Sequence, residues 1–130
     1  MKKRVFLSIG GMLFFLSVLF AQDVPVGVAM AFKQGNSQEL NKYLGNKIDL
    51  NILGQSSVVD KQTAQARFAA FFTENKVSGF TVNHQGKRDE SSFMIGTLAT
   101  DKGAFRVNCF LKRIENKYLI HQIRIDKTNE

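Results

Sequence analysis

Apolar positions along this chain recur with two different periods. Between Asp60 and Asn75, Ala64, Phe68, Phe71 and Phe72 fall at i, i+4, i+7 and i+8, one stripe of a 3.6-residue repeat. Asp60 stands where a side chain can accept from the free N–H groups of a first turn, and no Gly or Pro interrupts the run. This is the clearest helix. A first helix is expected over Val24–Gln34, with Pro25 in its first turn, Val28, Ala29 and Phe32 on one face, and Gly35 as a left-handed stop. Ser37 is expected to cap a short second helix with Leu40, Tyr43 and Leu44 inward and Gly45 at its end.

Elsewhere the period is two. Ile48, Leu50 and Ile52 alternate with Lys47, Asp49 and Asn51, a half-buried strand, and a turn at Gly54, Gln55 and Ser56 leads into a short strand over Ser57–Val59. After the main helix, Phe80, Val82 and His84 share one side of a strand. Gly86–Ser91 reads as a polar loop. Three strands follow as a meander, about Ser92–Thr100, Ala104–Arg113 and Lys117–Lys127. Asp101-Lys102-Gly103 is expected to form a three-residue hairpin loop, with Gly103 at the φ > 0 position.

Three-residue loops at both hairpins set a register. Phe93, Ile95, Thr97 and Ala99 then lie beside Leu111, Cys109, Val107 and Phe105, and these beside Leu119, His121, Ile123 and Ile125. That is the expected inner face, covered by the Phe68/Phe71/Phe72 stripe. The same register gathers Met94, Leu98, Phe110, Tyr118 and Ile120 on the outer face, with Arg106 facing Arg124 in its rim and room beside Gly96. An apolar centre with a charged rim is the composition of a partner site, so this set is the expected interface for a homodimer or protein partner.

The order helix, helix, strand, strand, helix, meander resembles the cystatin-like, nuclear-transport-factor-2-like superfamily. More narrowly, Phe80-Thr-Val-Asn-His-Gln-Gly86, Ile95-Gly-Thr-Leu98 and Lys117-Tyr-Leu-Ile-His-Gln-Ile-Arg-Ile125 resemble a family of secreted bacterial proteins known as domain of unknown function 4783. The resemblance covers essentially all of the chain after its first 21 residues. It implies an α+β fold, one cone-shaped domain in which a curved antiparallel sheet wraps a long helix and two shorter ones. It implies no activity, because the superfamily holds enzymes, ligand binders and partner-binding modules.

Composition adds a compartment. Lys2, Lys3 and Arg4 precede an apolar run over Val5–Phe20, and Ala21 is a small residue before the expected cut at Gln22. Residues 1–21 therefore read as a signal peptide, 22–130 as a single exported domain, periplasmic or extracellular, that meets the membrane only through the uncleaved signal. The formal charge is +7, from 18 Lys+Arg and 11 Asp+Glu. The signal carries three of the cations and no acid, which leaves the mature chain at +4, a weak footprint for nucleic acid. The basic residues Arg106, Lys112, Arg113, Lys117 and Arg124 beside Phe110 and Tyr118 are then a solvated sheet face rather than a nucleic-acid site. With Cys109 as the single cysteine, no internal disulfide forms.

Candidate chemistry is sparse. The register places Cys109 beside His121, a thiol next to an imidazole, which is the arrangement that activates a nucleophile. His84 and His121 could face the mouth of a cone as acid/base groups. The bland readings are a buried structural thiol and pocket-wall histidines, and no oxyanion motif, metal-ligand spacing or cofactor fingerprint accompanies them. If the cone is open, Phe68, Phe72, Thr97, Cys109 and His121 would line a pocket for a small apolar ligand. The sequence thus supports a non-catalytic binding or interaction domain without metal or cofactor, acting through the cone interior or the outer sheet face. The alternative is a small isomerase- or hydrolase-like enzyme using His121 or His84. Intact-mass analysis of the exported protein checks the compartment: the expected species starts near Gln22, and a membrane-retained form starting at Met1 refutes the signal.

Overall fold

The computed structural model describes residues 24–128; the expected signal peptide lies outside them. Helices α1 (Val26–Gln34), α2 (Ser37–Asn41) and α3 (Lys61–Glu74) are combined with strands β1 (Leu44–Ile52), β2 (Gln55–Asp60), β3 (Val77–Arg88), β4 (Ser91–Thr100), β5 (Gly103–Ile114) and β6 (Lys117–Lys127). The strands form one six-stranded sheet in the order β2-β1-β6-β5-β4-β3. Neighbours are antiparallel except β1 and β6, which run parallel. The parallel pair corrects the expectation of a wholly antiparallel sheet. It is the seam where the N-terminal β1–β2 hairpin joins the C-terminal meander.

The helix ends follow local chemistry. Asp60 caps α3, its carboxylate accepting from the Thr63 N–H at 2.8 Å. Gly35 closes α1 in the left-handed conformation at φ 62°. Two expectations shift by a residue or more. Asn36, not Ser37, caps α2, accepting from the Glu39 N–H at 3.1 Å. Leu44 and Gly45 belong to β1, not to α2.

All of the expected α3 stripe is buried, Ala64 and Phe68 completely. It packs with Phe32, Leu40, Leu44, Ile48 and Leu50 and with the inward rows of β4, β5 and β6 in one core. Phe32 stacks on Phe80 at 5.2 Å and meets Phe72 edge-on at 6.3 Å, while Phe71 meets Phe105 edge-on at 5.2 Å. All three helices contribute to this core, so the opposite face of the sheet carries no helix among the described residues.

The register of the meander differs from the one expected. Thr100 pairs with Gly103, leaving Asp101 and Lys102 as the connection. Gly103 has the expected positive φ, 115°, but it also belongs to the ladder. The parity of β4 against β5 is therefore shifted by one. Because side chains alternate with period two, the whole of β4 turns over. Ser92, Met94, Gly96 and Leu98 face the core, whereas Phe93, Ile95 and Thr97 face away from it. The next hairpin also has two residues between paired ends, Glu115 and Asn116, both at positive φ. A β-bulge then leaves His121 unpaired, with Leu111 opposite Ile120 and Phe110 opposite Gln122. The two shifts together move the pairing by two residues. Ile123 and Ile125 so remain in the core as expected, but Ile120 also turns inward. The room beside Gly96 is on the inner face and is filled by the Phe80 ring: a Cβ on Gly96 would lie 2.3 Å from it.

Burial and stripe position together give a stability expectation. Phe68→Ala should cost about 3–5 kcal/mol, because a fully buried ring leaves a cavity that a close-packed core fills only partly. Arg67→Ala, on the exposed side of the same helix, should cost far less, although Arg67 donates to Ser57 Oγ and the Gln55 carbonyl. Denaturant melts of the two variants measure the difference.

Candidate functional site

The new register rearranges every candidate residue. Cys109 is fully buried on the inner face opposite Ile123, and burial pushes its thiol well up from the ordinary value. It is not beside His121. The bulge turns His121 toward the helix-free face, where Lys112 and Asp49 are its charged neighbours. His84 also lies on that face. Val82 pairs with Gly96 and His84 with Ile95, so a second bulge at Asn83 separates His84 from the inward side of Phe80 and Val82. Its ring lies 5.3 Å from that of Phe93. The expected pocket set is divided in the same way: Phe68, Phe72 and Cys109 are core, Thr97 and His121 are on the opposite face. Of the expected interface, Met94, Leu98 and Ile120 are fully buried, and Tyr118 packs against the core. Phe110 alone of those five remains on the outer face. Slipped parity in β4 and the bulge in β6 are the physical reasons.

The helix-free face that results has two zones. In the first, Phe93 and Phe110 are direct cross-strand partners, both partly exposed. Gly86 pairs with Phe93 from β3, and a Cβ there would meet the Phe93 ring at 2.8 Å, so glycine lets the ring lie across the strand beside His84. Ile95, next to the pair on β4, and Leu119, near it on β6, are also partly exposed. In the second zone, a groove of about 990 Å³ runs from Asn83 on β3, past Thr97 on β4 and Arg106 and Asn108 on β5, to Arg124 and Asp126 on β6. Thr97 Oγ1 donates to Asn83 Oδ1 at 2.7 Å, and Arg124 Nε donates to Asp126 Oδ2 at 2.7 Å. Arg106 pairs across the ladder with Asp126, and Arg124 with Asn108. The expected Arg106–Arg124 opposition is therefore replaced by opposite charges. Sequence reasoning missed Phe93, Ile95 and Asn83 as surface residues. No comparable signal marked them: the Glu115-Asn116 turn, where Asn tolerates the left-handed conformation, bears only on the β5–β6 register.

Comparison with known proteins decides the family. Residues 26–126 match the family described as "Domain of unknown function (DUF4783)". The chain belongs to that family. Among solved structures, a DUF4783 protein from Bacteroides ovatus ATCC 8483 is 67% identical, with a TM-score of 0.82 over 85% of this chain and 100% of the other. More remote structures share the fold alone. A domain of unknown function with a cystatin-like fold from Nostoc punctiforme PCC 73102 is 8% identical, with a TM-score of 0.65 over 80% of this chain and 72% of its own. An NTF-2 like protein of unknown function from Silicibacter pomeroyi DSS-3 is 10% identical, with a TM-score of 0.59 over 78% and 87%. The comparison with curated proteins found no match. The expected family is thus correct, and the DUF4783 chain is a mixed α+β protein whose fold is that of these cystatin-like and NTF-2 like structures.

Among the described residues no group of three His, Cys, Asp or Glu side chains could hold a metal ion, and no helix is long and apolar enough to cross a membrane.

His121 offers a pH test of the bulge. Partial burial first, and the Lys112 charge second, hold its pKa below 6.5, with Asp49 opposing. The unfolded chain therefore takes up the proton at higher pH than the folded one. His121 thus contributes stability that is complete above the ordinary pKa and is lost as pH falls through it. Between about pH 7.5 and about pH 5.5 the melting temperature should fall, and His121→Gln should flatten that slope. Asp60, whose pKa is lowered by its cap to Thr63, acts only nearer 3.8 and below, outside this window.

Proposed function

We infer that this DUF4783 chain is an exported, non-catalytic interaction domain that works through the helix-free face of its sheet. The observation that carries this reading is the cross-strand Phe93–Phe110 pair on that face. Two aromatic side chains side by side, with Ile95 and Leu119 near them, make a contiguous apolar area of the kind that marks a partner contact. Export rests on the signal-like first 21 residues. The reading takes the sheet to curve over the helices as a cone with a filled interior, for which the fully buried Phe32 and Phe68 and the nearly buried Phe72 are the support. A filled interior favours the outer face over a small apolar ligand inside.

The occupant that fits best is a second copy of the chain. Outside the groove, Asp49 lies on the β1 side of the face, with Lys47 on the same row, and Arg88 and Lys112 lie on the β3–β5 side. A two-fold arrangement can set Asp49 against those cations. Sedimentation at micromolar concentration tests this. The wild-type mature domain should run as a dimer and Phe110→Glu as a folded monomer, since Phe110 is outside the core, with a melting temperature lowered only by the lost association. A monomeric wild type would rule out self-association through this face.

A further inference from the structure

The groove beside the aromatic zone has chemistry of its own. Its lining carries three cations, Arg106, Arg124 and Lys127, against one carboxylate, Asp126. Arg106 and Asn108 make no side-chain hydrogen bond or ion pair among the described residues, and Arg124 spends only its Nε on Asp126. Thr97 donates to the Asn83 carbonyl oxygen, which leaves the Asn83 amide N–H groups available. Arg106 and Arg124 are diagonal neighbours on adjacent strands, within reach of one another's ligand for side chains this long. The result is a donor-rich, net positive trough with acceptors at Asp126 and the Asn108 carbonyl oxygen.

We propose that this groove is a binding site for a carboxylate-bearing organic molecule, its carboxylate held by Arg106 and the free guanidinium nitrogens of Arg124. A planar guanidinium matches a carboxylate with two parallel hydrogen bonds. Asp126 argues against a dense dianion such as phosphate, because it puts a negative charge inside the trough. Its free oxygen, with Asn108, suits hydroxyl or amide donors on the same ligand. The groove crosses from β3 to β6, three strand spacings or about 14 Å, so it holds an extended molecule of two or three units. An acidic sugar and a short peptide with a free carboxylate both carry this chemistry.

Titration of the mature domain, followed by amide chemical shifts, tests the site with trigalacturonate, triglycine and inorganic phosphate as probes. The galacturonate methyl ester and triglycine amide serve as uncharged-end controls. Trigalacturonate or triglycine should bind saturably with a dissociation constant below about 1 mM, weakening at least about tenfold in Arg106→Gln and in the matching control. Whichever of the two binds names the source. Asp126→Asn should bind more tightly, since it frees Arg124 and removes the competing charge. Absence of saturable binding, equal binding of the control probes, preference for phosphate, or weaker binding by Asp126→Asn would each overturn the proposal. Phe110→Glu should bind the anion as the wild type does, which separates this site from the interaction surface.

Discussion

Pairing of Thr100 with Gly103 governs both faces of this sheet. Gly103 accepts a φ that would strain other residues and at the same time occupies a rung of the ladder. Its position fixes the parity of β4, and parity decides which half of a strand is buried. Met94 and Leu98 enter the core beside the inward row of β5, and Phe93, Ile95 and Thr97 are left for the surface. The reverse parity would bury Thr97 and expose Met94 and Leu98. The sequence tolerates either pattern on paper, because both halves of β4 contain apolar residues.

Two bulges complete the arrangement. At His121 the ladder gains a residue, so Ile120 and Ile123 can both reach the core from one strand while the imidazole turns out toward Lys112 and Asp49. At Asn83 the same device lets Phe80 stack on Phe32 inside while Asn83 and His84 serve the outer face. Bulges of this kind re-aim side chains without breaking the sheet. Here they separate the histidines from Cys109 and assemble the polar groove, and the chemistry of the face follows from them rather than from any motif.

The function proposed for this DUF4783 chain accordingly lies on the outside rather than in the interior. A core occupied by phenylalanine holds the α3 stripe against the sheet and gives the domain its stability. The helix-free face divides into an aromatic zone, which we propose for a partner, and a guanidinium-lined groove, which we propose for a carboxylate, on adjacent rows of the same strands. Each zone is exposed for the same reason: all three helices are committed to the other side.

The helices, the position of every strand in the meander and the composition of much of the core were legible in the sequence. They depend on local periodicity, capping and turn residues, as with Asp60, Gly35 and the Phe68/Phe71/Phe72 stripe. The family was legible too, from the strand patterns around Phe80, Ile95 and Lys117. The faces of β4 and of the first half of β6 were not. A single-residue difference in a hairpin connection, or an extra residue at His121, reverses a strand's orientation, yet leaves its composition and period unchanged. Only the energy of the assembled core distinguishes the alternatives. The choice between Met94 and Phe93, Ile120 and His121, or Cys109 beside Ile123 rather than His121, therefore belonged to the tertiary structure.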